Sequence, residues 1–123
     1  MRKISIQSGE LTATATLKAN ETAEAIWNAL PIEGHANTWG DEIYFSIPVQ
    51  VKPAKDARDA VEIGELGYWP PGNAFCIFFG RTPASHGSEP RAASPVNVFG
   101  QVEGDATVFK KVRGGAKVTI ERG

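Results

Sequence analysis

The chain has 123 residues, 41% hydrophobic and 22% charged, with Lys+Arg 13 against Asp+Glu 14. That length suits a single domain, residues 1–123, whose core needs no metal or disulfide staple. The formal net charge of -1 gives no global drive toward nucleic acid or an anionic membrane, and no apolar run nears spanning length, so neither partner is expected.

The chain opens with an alternating segment, Lys3 to Gln7, a turn at Ser8-Gly9-Glu10, and a strictly alternating Leu11 to Lys18. This pattern predicts a hairpin of half-buried strands. Asn20 is placed to cap a helix. Ala23, Ile26, Trp27 and Leu30 then fall at i, i+3, i+4 and i+7, one apolar stripe, and Pro31 ends it. Two strands are expected at Gly34 to Trp39 and Glu42 to Ile47, around Gly40-Asp41. The charged, proline-bearing Lys52 to Ala60 reads as an exposed connection. Two short strands are expected around Gly64-Glu65.

Ala74 to Phe79 (AFCIFF) is nearly continuous apolar sequence between Gly72 and Gly80. Such a run suits a strand buried on both faces. Gly80 to Pro95 is rich in Pro, Ser, Gly and Ala and reads as a long, mobile loop. VNVFGQV is a further strand, DATVFKKV fits a strand or a short helix, and Ala116 to Arg122 is the last alternating strand. Many short strands with one clear helix predict a closed or nearly closed β-barrel.

Little in the chain carries recognisable chemistry. His35 and His86 lack metal-ligand spacing, and the glycines form no phosphate-binding motif, so no metal and no cofactor is expected. Cys76, the one cysteine, lies between Phe75 and Ile77 and reads as a buried, unreactive thiol. A free cysteine and the lack of a signal-like start make the cytoplasm the expected compartment. Asp41 and Glu42 are adjacent on a strand, point to opposite faces, and cannot cooperate as an acidic pair. Asn97, polar within an apolar strand, is expected to bond loop backbone. Trp39, Tyr44 and Trp69 are aromatics beside turns, able either to wall a groove or to plug an end of the barrel. Arg91 sits between prolines in the long loop, either as a clamp for a ligand or as a surface partner of Glu89.

The last third, Val98-Phe99-Gly100-Gln101-Val102, Glu103-Gly104 and Lys117-Val118-Thr119-Ile120, is similar to the corresponding run of cyclophilins, the peptidyl-prolyl isomerases. GNAFCIFFGRT resembles their aromatic strand with its basic-Thr ending. WGDEIYF, YWPPGNAFCIFFG and EPRAASPVNVFG resemble the small prokaryotic cyclophilin-like family, whose function is unassigned. The resemblance spans nearly the whole length. It implies a mainly β, cyclophilin-like closed β-barrel with one clear α-helix and a second short helix, the latter in DATVFKKV.

Where cyclophilins carry Phe-His-Arg-Ile-Ile-Pro, this chain has Ile43-Tyr44-Phe45-Ser46-Ile47-Pro48. Aligned on the proline, Phe45 takes the place of the catalytic arginine; a slip of one residue substitutes Tyr44 or Ser46. None carries a charge, so the guanidinium that stabilises a twisted amide is missing, and no catalytic residue is assigned. The same resemblance puts Cys76 at the pocket phenylalanine, with Phe78 toward the groove and Phe75, Ile77 and Phe79 toward the core, although alternation alone permits either parity. The expected ligand-binding set is therefore Trp39, Tyr44, Phe45, Trp69, Cys76, Phe78 and Arg91. The leading expectation is a binding module for a peptide segment or small molecule in an apolar groove. The alternatives are a divergent peptidyl-prolyl isomerase and a non-catalytic partner domain of an enzyme.

Overall fold

The computed structural model describes residues 2–123. The strands are β1 (Lys3–Ser8), β2 (Leu11–Leu17), β3 (Ile32–His35), β4 (Asn37–Thr38), β5 (Glu42–Ser46), β6 (Arg58–Ala60), β7 (Glu65–Trp69), β8 (Ala74–Phe78), β9 (Arg91–Val102) and β10 (Lys117–Arg122), with one α-helix, α1 (Glu21–Ala29). They form one sheet in the order β3-β10-β1-β2-β9-β7-β8-β5-β4, with β6 paired to β9. Every pairing in it is antiparallel.

The mainly β fold is as expected, but hydrogen bonds do not close the sheet into the expected barrel. The order ends at β3 and β4, and among the described residues no ladder joins those two edges. Instead β3 and β4 follow one another with only Ala36 between them, so the chain itself passes from one edge of the sheet to the other. A Cβ on Gly34 of β3 would lie 2.7 Å from the Phe45 ring of β5, so the glycine lets that ring lie flat across the seam. The two edge strands, four and two residues long, are successive segments of one run and so cannot pair with each other.

The helix starts where its cap predicts: the Asn20 side chain accepts from the Ala23 N–H at 2.9 Å. Ala23 and Ile26 are buried, while Trp27 and Leu30 are half-buried at the rim. DATVFKKV contains a 3-10 helix, Ala106–Lys111, capped by Asp105. It delivers Phe109 into the core, beside Phe79. Three expectations fail locally. The Lys52 to Ala60 connection contains β6, and the supposed long loop is shorter because β9 already begins at Arg91. A single strand, β7, replaces the two expected around Gly64-Glu65.

Two apolar clusters lie on opposite faces of β8. Phe75, Ile77 and Phe79 enter the main core with Phe45 and Phe99. Phe45 stacks on Phe75 with ring centroids 5.2 Å apart, and Phe99 meets Phe75 edge-on at 5.1 Å. Ala74, Cys76 and Phe78 face outward into a second cluster with Val61, Ala92, Val96 and Val98. Gly67 makes that second layer possible. A Cβ there would lie 2.8 Å from Val96 and 3.2 Å from Phe78, so its bare backbone leaves room for both side chains to close over β7.

Candidate functional pocket

The outer face of the sheet carries the candidate site. Antiparallel pairing sets Tyr44 opposite Cys76 and Glu42 opposite Phe78, and on the other side of β8 sets Trp69 opposite Ala74. Cross-strand partners project to the same face, so Glu42, Tyr44, Cys76 and Trp69 all point outward. Tyr44 and Trp69 stand two strand spacings apart, about 10 Å across the sheet. The residues of β8 between them, Ala74 and Cys76, are small. Large walls over a low floor make a hollow.

Trp39 adds a third wall. Its N–H donates to the Glu42 carbonyl at 3.0 Å, closing the β4–β5 hairpin, and Gly40 takes the left-handed conformation that this turn requires (φ +60°). The result is a cavity of about 220 Å³ lined by Trp39, Glu42, Tyr44, Trp69, Cys76, Ala92 and Ala93. The three aromatics are half-buried and Ala93 is exposed, so the hollow opens to solvent. Trp69 is fixed in place by its indole N–H, which donates to Ser94 Oγ at 2.7 Å.

At the base of this hollow lies Glu42, 5% exposed. Its Oε1 is buried without a hydrogen-bond partner among the described residues. Burial pushes its carboxyl up to about 7, opposed only in part by the nearby Cys76 thiol, which donates to the Ala74 carbonyl at 3.9 Å. Burial and the neighbouring Glu42 push the Cys76 thiol up as well, so this cysteine is held as the unreactive thiol form. Glu65, 6% exposed, shows how the same protein satisfies a structural carboxylate. It accepts from Arg58 at 2.9 Å and from the Glu62 N–H at 2.7 Å. Burial raises its pKa, yet the Arg58 and Glu62 bonds outweigh that and leave it lowered. Glu42 has no such partners.

The larger depressions of the surface lack this character. One of about 580 Å³ runs along Leu17, Ala19 and Ala23 with Arg2, Lys18 and Glu24 at its rim, and no buried polar atom there lacks a partner among the described residues. Another, of about 670 Å³, adjoins Asn97. The Asn97 amide is consumed by the Lys52 carbonyl at 2.9 Å, Thr22 Oγ1 at 3.2 Å and the Ala54 N–H at 2.8 Å; it ties loop backbone, as its place in the strand suggested.

Of the residues expected to bind a ligand, Trp39, Tyr44, Trp69 and Cys76 line one hollow. Three others stand elsewhere. Phe45 is 1% exposed in the main core, because its strand parity is opposite to that of Tyr44. Phe78 is fully buried in the outer cluster, covered by Val96 across Gly67 rather than left as a groove wall. Arg91 bonds Glu89 Oε2 at 3.0 Å and Asp59 Oδ2 at 3.1 Å and does not line the hollow; its neighbours Ala92 and Ala93 do. The loop before it is tied by Glu89, which accepts from the His86 and Gly87 N–H groups at 2.9 and 2.7 Å. Those bonds and Arg91 hold the Glu89 carboxyl down at about 2. These bonds tie together part of the loop that its composition suggested would be mobile. Glu42 is the residue that sequence reasoning missed.

A family model described as cyclophilin-like matches residues 2–121. No curated protein matches the chain. The solution structure of a hypothetical protein from Archaeoglobus fulgidus is similar, with 40% identity and a TM-score of 0.83 over 99% of this chain and 95% of that one. The profile match, running through both the aromatic strand and the closing strand, shows that this protein belongs to the cyclophilin-like family.

Proposed function

We propose that the protein is a binding module whose ligand, a small molecule or a side chain of a peptide segment, enters the hollow between Trp39, Tyr44 and Trp69. The observation that carries this reading is the buried, unpartnered Glu42 Oε1 at the base of an aromatic-walled hollow open to solvent. An unmet buried acceptor costs on the order of 1–3 kcal/mol, and a ligand donor arriving there recovers it. Ligand sites commonly combine apolar walls with a few convergent polar groups, and this hollow has that composition. Isomerase chemistry has less support, since the place of the catalytic guanidinium belongs to Phe45, stacked on Phe75 inside the core. The test is a fragment and short-peptide screen on isotope-labelled protein, followed by amide and indole NMR signals. Binders should shift the Trp39 and Trp69 indoles and spare Trp27, and Trp69→Ala should abolish the shifts. Binders that consistently perturb another surface would refute the reading.

A further inference from the structure

We propose that the group bound in this hollow is an alkylammonium, its N–H donating to Glu42 Oε1 and its alkyl substituents lying against the faces of Trp39, Tyr44 and Trp69. The inference rests on the binding reading above and narrows it to one ligand chemistry.

Three observations converge. The first is the charge of the site. Its lining offers one carboxyl and no cationic side chain, whereas the comparably buried Glu65 has Arg58 beside it. The missing counter-charge is what a cationic ligand supplies, and it also excludes an anion, which would face a buried carboxyl with nothing to neutralise it. The second is the walls. Aromatic faces carry negative quadrupole charge and attract cations, most strongly when the pair is out of water. Three such side chains around one carboxyl suit a cation with apolar substituents better than a bare one. The third is the donor set. A metal ion needs several hard or soft ligands; here there is one carboxylate, and no group of three or more His, Cys, Asp or Glu side chains suited to a metal occurs among the described residues. A volume of about 220 Å³ limits the guest to the end of a side chain or a small amine.

The ionisable groups facing Glu42 are few. Cys76 on β8 is the diagonal neighbour across the ladder, next to the directly opposite Phe78, and Tyr44 is on the same strand. From β7 comes Trp69 and from β9 Ala92 and Ala93, none of them ionisable. An ammonium stabilises the carboxylate form of Glu42, so affinity rises with pH until that carboxyl is ionised without help, near 7.

The probes are N,N-dimethylbutylamine, protonated throughout the working range, and N,N-dimethylbutanamide, a neutral molecule of similar size without the charged N–H. Affinities are measured by titration on the Trp39 and Trp69 indole NMR signals. At pH 8 the amine is expected to bind at least about tenfold more tightly than the amide. Its affinity should fall as pH is lowered from 8 to 5. Glu42→Gln should bring the two ligands within about twofold of each other. Tyr44→Leu keeps the apolar wall but removes an aromatic face, and should weaken the amine more than the amide. A tripeptide carrying dimethyl-lysine separates the sources: tighter binding than the free amine points to a protein-borne ammonium, equal or weaker binding to a free amine. Equal affinity for amine and amide in the unaltered protein overturns the ammonium assignment while leaving a binding pocket in place. Amine binding that ignores both pH and Glu42→Gln overturns it too, and so does failure of both probes to shift either indole.

Discussion

Replacing Glu42 by glutamine isolates the energetic cost of the buried carboxyl. In the unfolded chain this group ionises near 4.5, and in the fold burial moves it to about 7. The folded state therefore holds a proton that the unfolded state has lost throughout that window. Stability falls as pH rises wherever the folded form binds more protons, so Glu42 withdraws stability between pH 4.5 and about 7. At about 1.4 kcal/mol for each tenfold change in acidity, the full loss is on the order of 3 kcal/mol. Glutamine has nearly the same shape and cannot ionise. Its amide brings donors that need partners, so the offset between the proteins at pH 5 is small and of either sign. The change in that offset is diagnostic. Urea denaturation of both proteins at pH 5, 6, 7 and 8 should show Glu42→Gln gaining about 2–3 kcal/mol relative to the parent across the series. All other titrating groups are common to the pair and cancel. An offset that stays flat from pH 5 to 8 would show that Glu42 ionises normally in the fold, and would remove the reasoning that makes it the unsatisfied group of the hollow.

Phe75→Ala and Phe78→Ala should each cost about 3–5 kcal/mol in denaturant melts, because both rings are fully buried, in different clusters; a Phe78 variant as stable as the parent would mean the outer layer is not packed as described. Gly67→Ala should lower stability by about 1–3 kcal/mol, since its Cβ would meet Val96 at 2.8 Å, and pairing it with Val96→Ala should restore part of the loss. Trp27→Ala should cost about 2–3 kcal/mol, less than a fully buried tryptophan, because the ring is half-buried but carries the Arg2 and Arg122 guanidiniums, 5.0 and 4.6 Å from its centroid. In a coupled proline-peptide assay the protein should show no cyclophilin-level isomerisation; rapid turnover would mean that something other than a guanidinium on β5 serves the reaction.

Most of the fold was legible because its signals are local. The alternation of Leu11 to Leu17, the Asn20 cap and the apolar Ala74 to Phe79 run each specify an element through a few neighbouring residues, and each element formed. Closure of the sheet was not legible in the same way. The run expected as one strand over Gly34 to Trp39 divides at Ala36 into β3 and β4, which pair with different neighbours, β10 and β5, far apart in sequence. The start of β9 at Arg91 was hidden for a related reason. Its Ala, Ser and Pro residues read as loop, and they are strand only because β6 and the outer cluster lie beside them.

The site was half-legible, and the failure is one of parity and cover. Sequence alternation correctly separates Phe75 from Phe78 and Tyr44 from Phe45, but it cannot say what lies above the outer face. There the chain folds Val61, Ala92, Val96 and Val98 over Phe78 and leaves a hollow beside Cys76, which is itself 1% exposed. The same parity argument that dismissed Asp41 and Glu42 as a catalytic pair also contains the missed clue. If adjacent residues face opposite ways and Tyr44 faces the groove, Glu42 faces it too. A glutamate two positions from a groove aromatic, on a strand whose cross-strand neighbours are Cys76 and Phe78, has no room for a basic partner. Such a carboxyl is either an expensive accident of burial or the half of an ion pair whose other half arrives from solution. The pH series, with no ligand present, measures that expense. The amine and amide titrations then ask whether a ligand relieves it.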